Sequence, residues 1–144
     1  MNKFILLAVV GVIIVAVGIG YRLFLIPESS KPVETGKVVE VTIIAKKNEW
    51  RFEPEDIAIN QGDRIIATVV NEDDYDHGFA IDAYGISQRM PAKSTITVEF
   101  VATRPGDFQY YCSVPCGEGD TNGEHRDHFD MIGTINVNQF FGTH

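Results

Sequence analysis

The chain has 144 residues, 44% of them hydrophobic and 22% charged, with 12 Lys and Arg against 20 Asp and Glu for a formal net charge of −8. That length suits one ordinary domain plus an appendage and is too short for two full domains. The acidity argues against nucleic acid as a partner, since phosphate binding needs a basic surface, and it suits either a basic protein partner or plain solubility.

The appendage comes first. From Phe4 to Gly20 no side chain is charged or strongly polar, and the apolar character resumes after Tyr21-Arg22 as far as Ile26. As a helix, that stretch would be about 34 Å long, enough for the hydrocarbon core of a bilayer. Residues 1–26 therefore read as a single-pass transmembrane anchor. A cleaved signal peptide is the alternative, with Lys3 as its charged start and Ala16-Val17-Gly18 as a weak cleavage site; the apolar run exceeds the usual ~7–15 residues of such peptides. With Lys3 ahead of the span, the rest of the chain is expected on the extracytoplasmic (periplasmic) side, although Arg22 at the far end reduces the asymmetry. No cysteine lies near residue 20, so a lipid anchor there is excluded.

Residues 27–36, PESSKPVETG, read as a polar linker. From residue 37 to 144 the apolar pattern has a period of two or comes in short runs. Strands are predicted over Val38–Ile44, Ile57–Ile59, Arg64–Val70, Gly78–Ile81, Thr95–Ala102, Asp107–Cys112 and Met131–Val137. Turn signals separate them at Asn60–Asp63, Asn71–Asp74, Met90-Pro91 and Arg104–Gly106. No useful helical stretch follows the anchor, so the fold class is all-β: a Greek-key β-sandwich preceded by one N-terminal transmembrane helix. Trp50 and Phe52 alternate onto one face as core aromatics, and Trp50 could also wall off a metal site.

Chemistry concentrates late in the chain. Cys112, Cys116, His128 and Met131 lie within one short stretch, and His77 heads the strand containing Phe79 and Ile81. Two cysteines four apart in an exported domain could be a small-loop disulfide. A disulfide explains neither His128 nor Met131. Thiolate, thioether and imidazole together select copper, whereas a zinc site more often uses Cys and His without Met. Two sulfurs can bridge two copper ions, with one histidine on each. Met90 reads as a gap filler, His144 as a free terminal residue, and Tyr75, Tyr84, Tyr110 and Tyr111 as sandwich aromatics. Nothing in the sequence resembles a nucleophilic triad, a phosphate loop or a carboxylate dyad with an obvious role.

The segment Cys112-x3-Cys116…His128-x2-Met131, with an earlier histidine at a strand start, resembles the binuclear copper A (CuA) domain of cytochrome c oxidase subunit II, a cupredoxin. The W-x-F-x-P stretch at Trp50, the Gly62-Asp63 turn, HGFAI from His77 and RPGDFQYYC up to Cys112 carry the same resemblance over about residues 38–137. A similar domain occurs in nitrous oxide reductase, whose large propeller has no counterpart in this sequence; the short span before one domain looks most like the single-anchor subunit II of ba3-type oxidases. The resemblance implies copper, two ions, bridged by Cys112 and Cys116 and capped by His77 and His128. Met131 would be a weak axial ligand and the carbonyl of Val114 would complete the set. It further implies membrane-anchored electron transfer from a cytochrome c-like basic donor to a haem–copper oxidase core subunit. The Glu72–Asp76 stretch would steer the donor toward His77, and the domain would catalyse nothing on its own. Alternatives are a free-standing anchored carrier, a mononuclear copper chaperone or sensor, and a dead site with Cys112 and Cys116 oxidised.

Two departures from the family pattern stand out. Gly117 to Asp127 separates Cys116 from His128 where the family has three residues. Removing Asp120–Asp127 would restore the spacing, so these eight read as a protruding insertion whose glycines let it leave and return. His125 is then the rival to His128, and Glu118, Asp120, Glu124 and Asp127 form a solvated acidic rim. Oxidase subunits often carry glutamate at the position of Val114, which here keeps the carbonyl and loses the carboxylate.

Overall fold

A computed structural model describes residues 2–24 and 36–140. The expected linker, apart from Gly36, lies outside the described residues, as does His144. The chain divides into two compact units, residues 1–32 and 33–144.

The first unit holds helix α1, Lys3–Phe24, 22 residues and about 33 Å long. From Phe4 to Tyr21 its large apolar side chains are exposed all round, Ile13 and Val17 among them, and its length and composition suit a membrane span. A signal sequence passes the same test.

The second unit is a mostly-β sandwich. Its strands are β1 (Val38–Ala45), β2 (Phe52–Glu53), β3 (Asp56–Asn60), β4 (Arg64–Asn71), β5 (His77–Ile81), β6 (Ile86–Met90), β7 (Thr95–Val101), β8 (Gly106–Tyr111), β9 (Glu118–Thr121), β10 (Glu124–Asp127) and β11 (Ile132–Asn138). One sheet has the order β2-β1-β4-β7 and the other β3-β11-β8-β5-β6, while β9 and β10 form a separate ribbon. Each large sheet contains one parallel pair, β1 with β4 and β3 with β11, among otherwise antiparallel neighbours. Period-two alternation selects the core: Ile65, Ala67 and Val69 of β4 and Ile57 and Ile59 of β3 are buried. At one end Phe52, Phe79 and Tyr110 form an aromatic cluster with centroids 5.5–5.8 Å apart.

All seven predicted strands are present within a residue or two. β2 is the short strand at Phe52 that the alternation of Trp50 and Phe52 implied, whereas β6, β9 and β10 were not anticipated. β6 is an edge strand whose Ser87, Gln88 and Arg89 are all exposed, so apolar alternation, the signal for a strand, is lacking. Trp50 departs from expectation in another way. It lies outside any strand, with φ of +46°, and packs half-buried against the edge of the core while Phe52 is fully buried in it.

Register decides where the chemistry gathers. In β8, Tyr111 pairs with Ile132 of β11 and with Ala80 of β5. Cys112 just beyond β8, Met131 just before β11 and His77 at the start of β5 therefore share one end of the sheet. The Cys112 backbone N–H donates to the Met131 carbonyl at 3.0 Å and ties two of these positions together.

Candidate metal centre

Cys112 and Cys116 are both free thiols, their Sγ atoms 3.8 Å apart, so the disulfide alternative does not describe this structure. Each sulfur has its own imidazole: His77 Nδ1 lies 3.7 Å from Cys112 Sγ, and His128 Nδ1 lies 3.7 Å from Cys116 Sγ. The two weaker donors sit at opposite sulfurs. Met131 Sδ is 3.5 Å from Cys116 Sγ, and the Val114 carbonyl oxygen is 3.2 Å from Cys112 Sγ. Among the described residues, His77, Cys112 and Cys116 bring their ligand atoms within 4.8 Å of one another. All six positions expected from the sequence thus meet at one end of the sandwich.

His77 is buried, and its Nε2 meets Asp73 Oδ2 at 2.7 Å. The other oxygen of Asp73 accepts from the Asn48 N–H at 2.7 Å. A carboxylate behind an imidazole fixes the tautomer and leaves Nδ1 to face a metal. Burial pulls the His77 pKa down, but hydrogen bonds to Cys112 and Asp73 outweigh it and the net shift is upward. The thiols behave as a pair. Sharing its proton with Cys116, and helped against burial by His77 and the Gly78 N–H, Cys112 is held below the ordinary thiol range. Cys116 keeps the shared proton and is pushed up by Cys112 and by burial.

Small residues let the loop approach. A Cβ on Gly78 would lie 2.3 Å from Ser113 Oγ and 2.8 Å from Ser113 N, so the turn after Cys112 rests directly on the β5 backbone. His128 opens a 3₁₀ turn, His128–Asp130, capped by a reciprocal pair: Asp127 accepts from the Phe129 N–H, and Asp130 accepts from the Asp127 N–H. Asp127 is accordingly a structural cap, a correction to its reading as rim.

The protruding insertion is an ordered hairpin. Asn122 and Gly123 both have positive φ, +54° and +85°, as a tight two-residue turn requires. The ribbon leans on the Trp50 segment: Thr121 Oγ1 donates to the Asn48 carbonyl at 2.7 Å, and Gly119 packs so closely that a Cβ would lie 2.4 Å from the indole. Trp50 Nε1 in turn donates to the Cys116 carbonyl at 3.2 Å. At the hairpin base, the His128 N–H donates to the Gly117 carbonyl at 3.0 Å. His125 lies on the exposed side between Asp120 at 3.2 Å and Glu118 at 3.5 Å, away from the sulfurs.

Asp73 and Gly78 were missed in the sequence. An aspartate inside an acidic run has no signal separating a buried one from its solvated neighbours.

Two thiols, two imidazoles, a thioether and a carbonyl form a soft donor set that fits copper. Residues 14–120 match the family of cupredoxin-like domains. The chain is 33% identical over 89 residues to nitrous-oxide reductase from Stutzerimonas stutzeri, covering 60% of this chain and 13% of that protein. The enzyme from Ralstonia nicotianae is 31% identical over 93 residues, 62% of this chain and 14% of that protein. The chain thus spans a small part of these relatives. Among solved structures, a chain of a heme-copper terminal oxidase dimer has a TM-score of 0.57 at 21% identity, over 94% of this chain and 93% of its own. The periplasmic domain of cytochrome oxidase subunit II from Bradyrhizobium japonicum has a TM-score of 0.52 at 21% identity, over 68% and 83%. With its sandwich, its converging donors and a family match across most of its length, the chain belongs to the cupredoxin-like domains.

Proposed function

We propose that the chain is a membrane-tethered one-electron relay that holds two copper ions at Cys112 and Cys116. The observation that carries this reading is the pairing of donors: two unbonded thiols 3.8 Å apart, each with a histidine Nδ1 at 3.7 Å. When bound, the copper pair supplies a redox couple whose charge is shared over two ions. His77, His128, Met131 and the Val114 carbonyl complete the set. The protein's part is to hold these donors still, because donors that do not move on reduction keep the barrier to electron transfer low. Asp73 fixes His77, the capped turn fixes His128, and the Trp50 indole fixes the Cys116 carbonyl.

In this reading residues 1–26 anchor the protein and residues 37–144 work outside the cytoplasm. The donor is a basic cytochrome c-like protein and the acceptor a haem–copper oxidase core in the same membrane. Support for that acceptor is the likeness, nearly end to end, to a chain of a heme-copper terminal oxidase. A second reading, a free-standing anchored carrier, draws on Val114, which offers no carboxylate where oxidase subunits often have glutamate.

The test is the optical and paramagnetic-resonance spectrum of the copper-loaded full chain, with a copper count. The expected outcome is two coppers per chain and a hyperfine pattern from one electron shared equally by two nuclei. A single blue copper would replace the binuclear relay with a mononuclear one. No bound copper would end the reading.

A further inference from the structure

We propose that the β9–β10 hairpin is a strut that, acting through Asn48, sets how strongly Asp73 draws on His77 and so tunes the buried half of the donor set. This rests on the copper-relay reading and assigns a task to the segment that separates Cys116 from His128.

Between β1 and β2 the chain makes a turn, Lys46–Glu49, closed by the Glu49 N–H on the Lys46 carbonyl at 3.1 Å. Asn48 in this turn is exposed, yet its N–H reaches the fully buried carboxylate of Asp73 at 2.7 Å. Asn48 and Trp50 both have positive φ, +56° and +46°. Asparagine tolerates that conformation, but for a side chain as bulky as tryptophan it persists only where the surroundings enforce it. The hairpin supplies two of the enforcing contacts: Thr121 Oγ1 donates to the Asn48 carbonyl at 2.7 Å, and Gly119 lies against the Trp50 ring. Trp50 also stacks on Tyr75, whose ring centroid is 5.2 Å from that of His77.

Hydrogen bonds therefore lead stepwise from the hairpin to the donors. Thr121 holds the Asn48 carbonyl, the Asn48 N–H holds one oxygen of Asp73, and the other oxygen meets His77 Nε2 at 2.7 Å. His77 Nδ1 then faces Cys112 Sγ at 3.7 Å. Ion pairs join the same two loops, Lys47 with Asp74 at 3.1 Å and Lys46 with Glu72 at 3.8 Å, but they are open to water and worth little. A charged carboxylate in a buried site is sensitive to each donor it gains or loses. Asp73 divides its charge between the Asn48 N–H and the His77 Nε2–H. If the Asn48 N–H moves off, the carboxylate pulls harder on Nε2–H and makes Nδ1 the stronger donor. A stronger nitrogen donor favours oxidised copper and lowers the reduction potential.

Where the donors sit is fixed separately, by the Cys112 N–H on the Met131 carbonyl and the His128 N–H on the Gly117 carbonyl. The hairpin thus adjusts donor strength without deciding whether copper is held. Asn48 and Thr121 are positioning residues, acting on His77 through Asp73.

The experiment compares Thr121→Val, which keeps the shape and loses the hydroxyl, with Thr121→Ser, which keeps the hydroxyl, in the full-length protein in detergent micelles. Before copper loading, hydrogen exchange at the Asn48 amide and the ring-nitrogen shifts of His77 are read by NMR. After loading, the copper count and the reduction potential are measured. Thr121→Val is expected to speed Asn48 exchange about fivefold, the worth of one ordinary hydrogen bond. It should also move the His77 shifts and lower the potential at an unchanged copper count. Thr121→Ser should return all three readings to those of the parent protein. Asp74→Asn, which removes the exposed pairs to Lys47 and Lys93, should move none of them. Parent-like exchange and His77 shifts in Thr121→Val, or an equal response in Asp74→Asn, would overturn the proposal. So would an unchanged potential in a loaded variant whose Asn48 bond has opened. If Thr121→Val moves exchange and the His77 shifts in a protein that takes up no copper, the strut stands and the copper-relay reading falls.

Discussion

Asp73 is the residue on which the buried half of the centre turns, because its two oxygens hold His77 and the Asn48 N–H at once. Asp73→Asn should weaken copper binding roughly 10- to 100-fold, the usual cost of losing the partner behind a metal-bound histidine, measured by competition against a copper chelator. Gly78 acts by having no side chain. Gly78→Ala should push the Ser113 turn off β5 and destabilise the domain by about 1–3 kcal/mol, read by denaturant unfolding. His125 reports on the hairpin. Its pKa is raised above 6.5 chiefly by the hydrogen bond to Asp120, which with the charge of Glu118 outweighs the desolvation that pulls it down. Its ion pairs therefore support the ribbon fully below pH 6.5 and fade as pH rises through the raised value; titration of its ring protons by NMR should show this, and Asp120→Asn should bring the midpoint down. At this scale the donors His77, Cys112, Cys116, His128 and Met131 were legible in the sequence, and Asp73 and Gly78 were not. Cys, His and Met are rare enough that their grouping is itself a signal, whereas Asp73 and Gly78 draw their roles from what packs against them.

At the scale of the element, the β9–β10 hairpin explains the unusual gap between Cys116 and His128. The sequence marked it only as an excursion with glycines, and both faces of the ribbon are polar, so no alternation identified it as strands. What orders it is tertiary: Gly119 against the Trp50 ring and Thr121 on the Asn48 carbonyl. The metal positions are tied independently of it, through the His128 N–H on the Gly117 carbonyl and the Cys112 N–H on the Met131 carbonyl. Deleting Asp120–Arg126, which spares the Asp127 cap of the His128 turn, should therefore leave the copper count per chain unchanged while lowering thermal stability. Gly119→Val should displace Trp50 and cost about 1 kcal/mol through loss of its bond to the Cys116 carbonyl, measured by denaturant unfolding.

For the whole molecule, the sandwich is the rigid frame, and copper bound as proposed would be a further cross-link among β5, β8 and β11. Copper loading should raise the melting temperature, with a gain of about 2.7 kcal/mol when free copper is a hundred times its dissociation constant, and a chelator should reverse it. Strand pattern, acidity, the apolar N-terminal helix and the donor inventory followed from the sequence alone, because period-two burial and residue chemistry are local properties. The convergence of the donors depended on the register that sets Tyr111 opposite both Ala80 and Ile132. The pairing of charges was equally non-local: Glu72–Asp76 looked like an open acidic patch until Lys46, Lys47, Arg89 and Lys93 met it from other strands and loops. Which acids remain free to meet a partner was thus decided by the tertiary structure, since an ion pair depends on where two side chains end up and sequence separation carries no record of that.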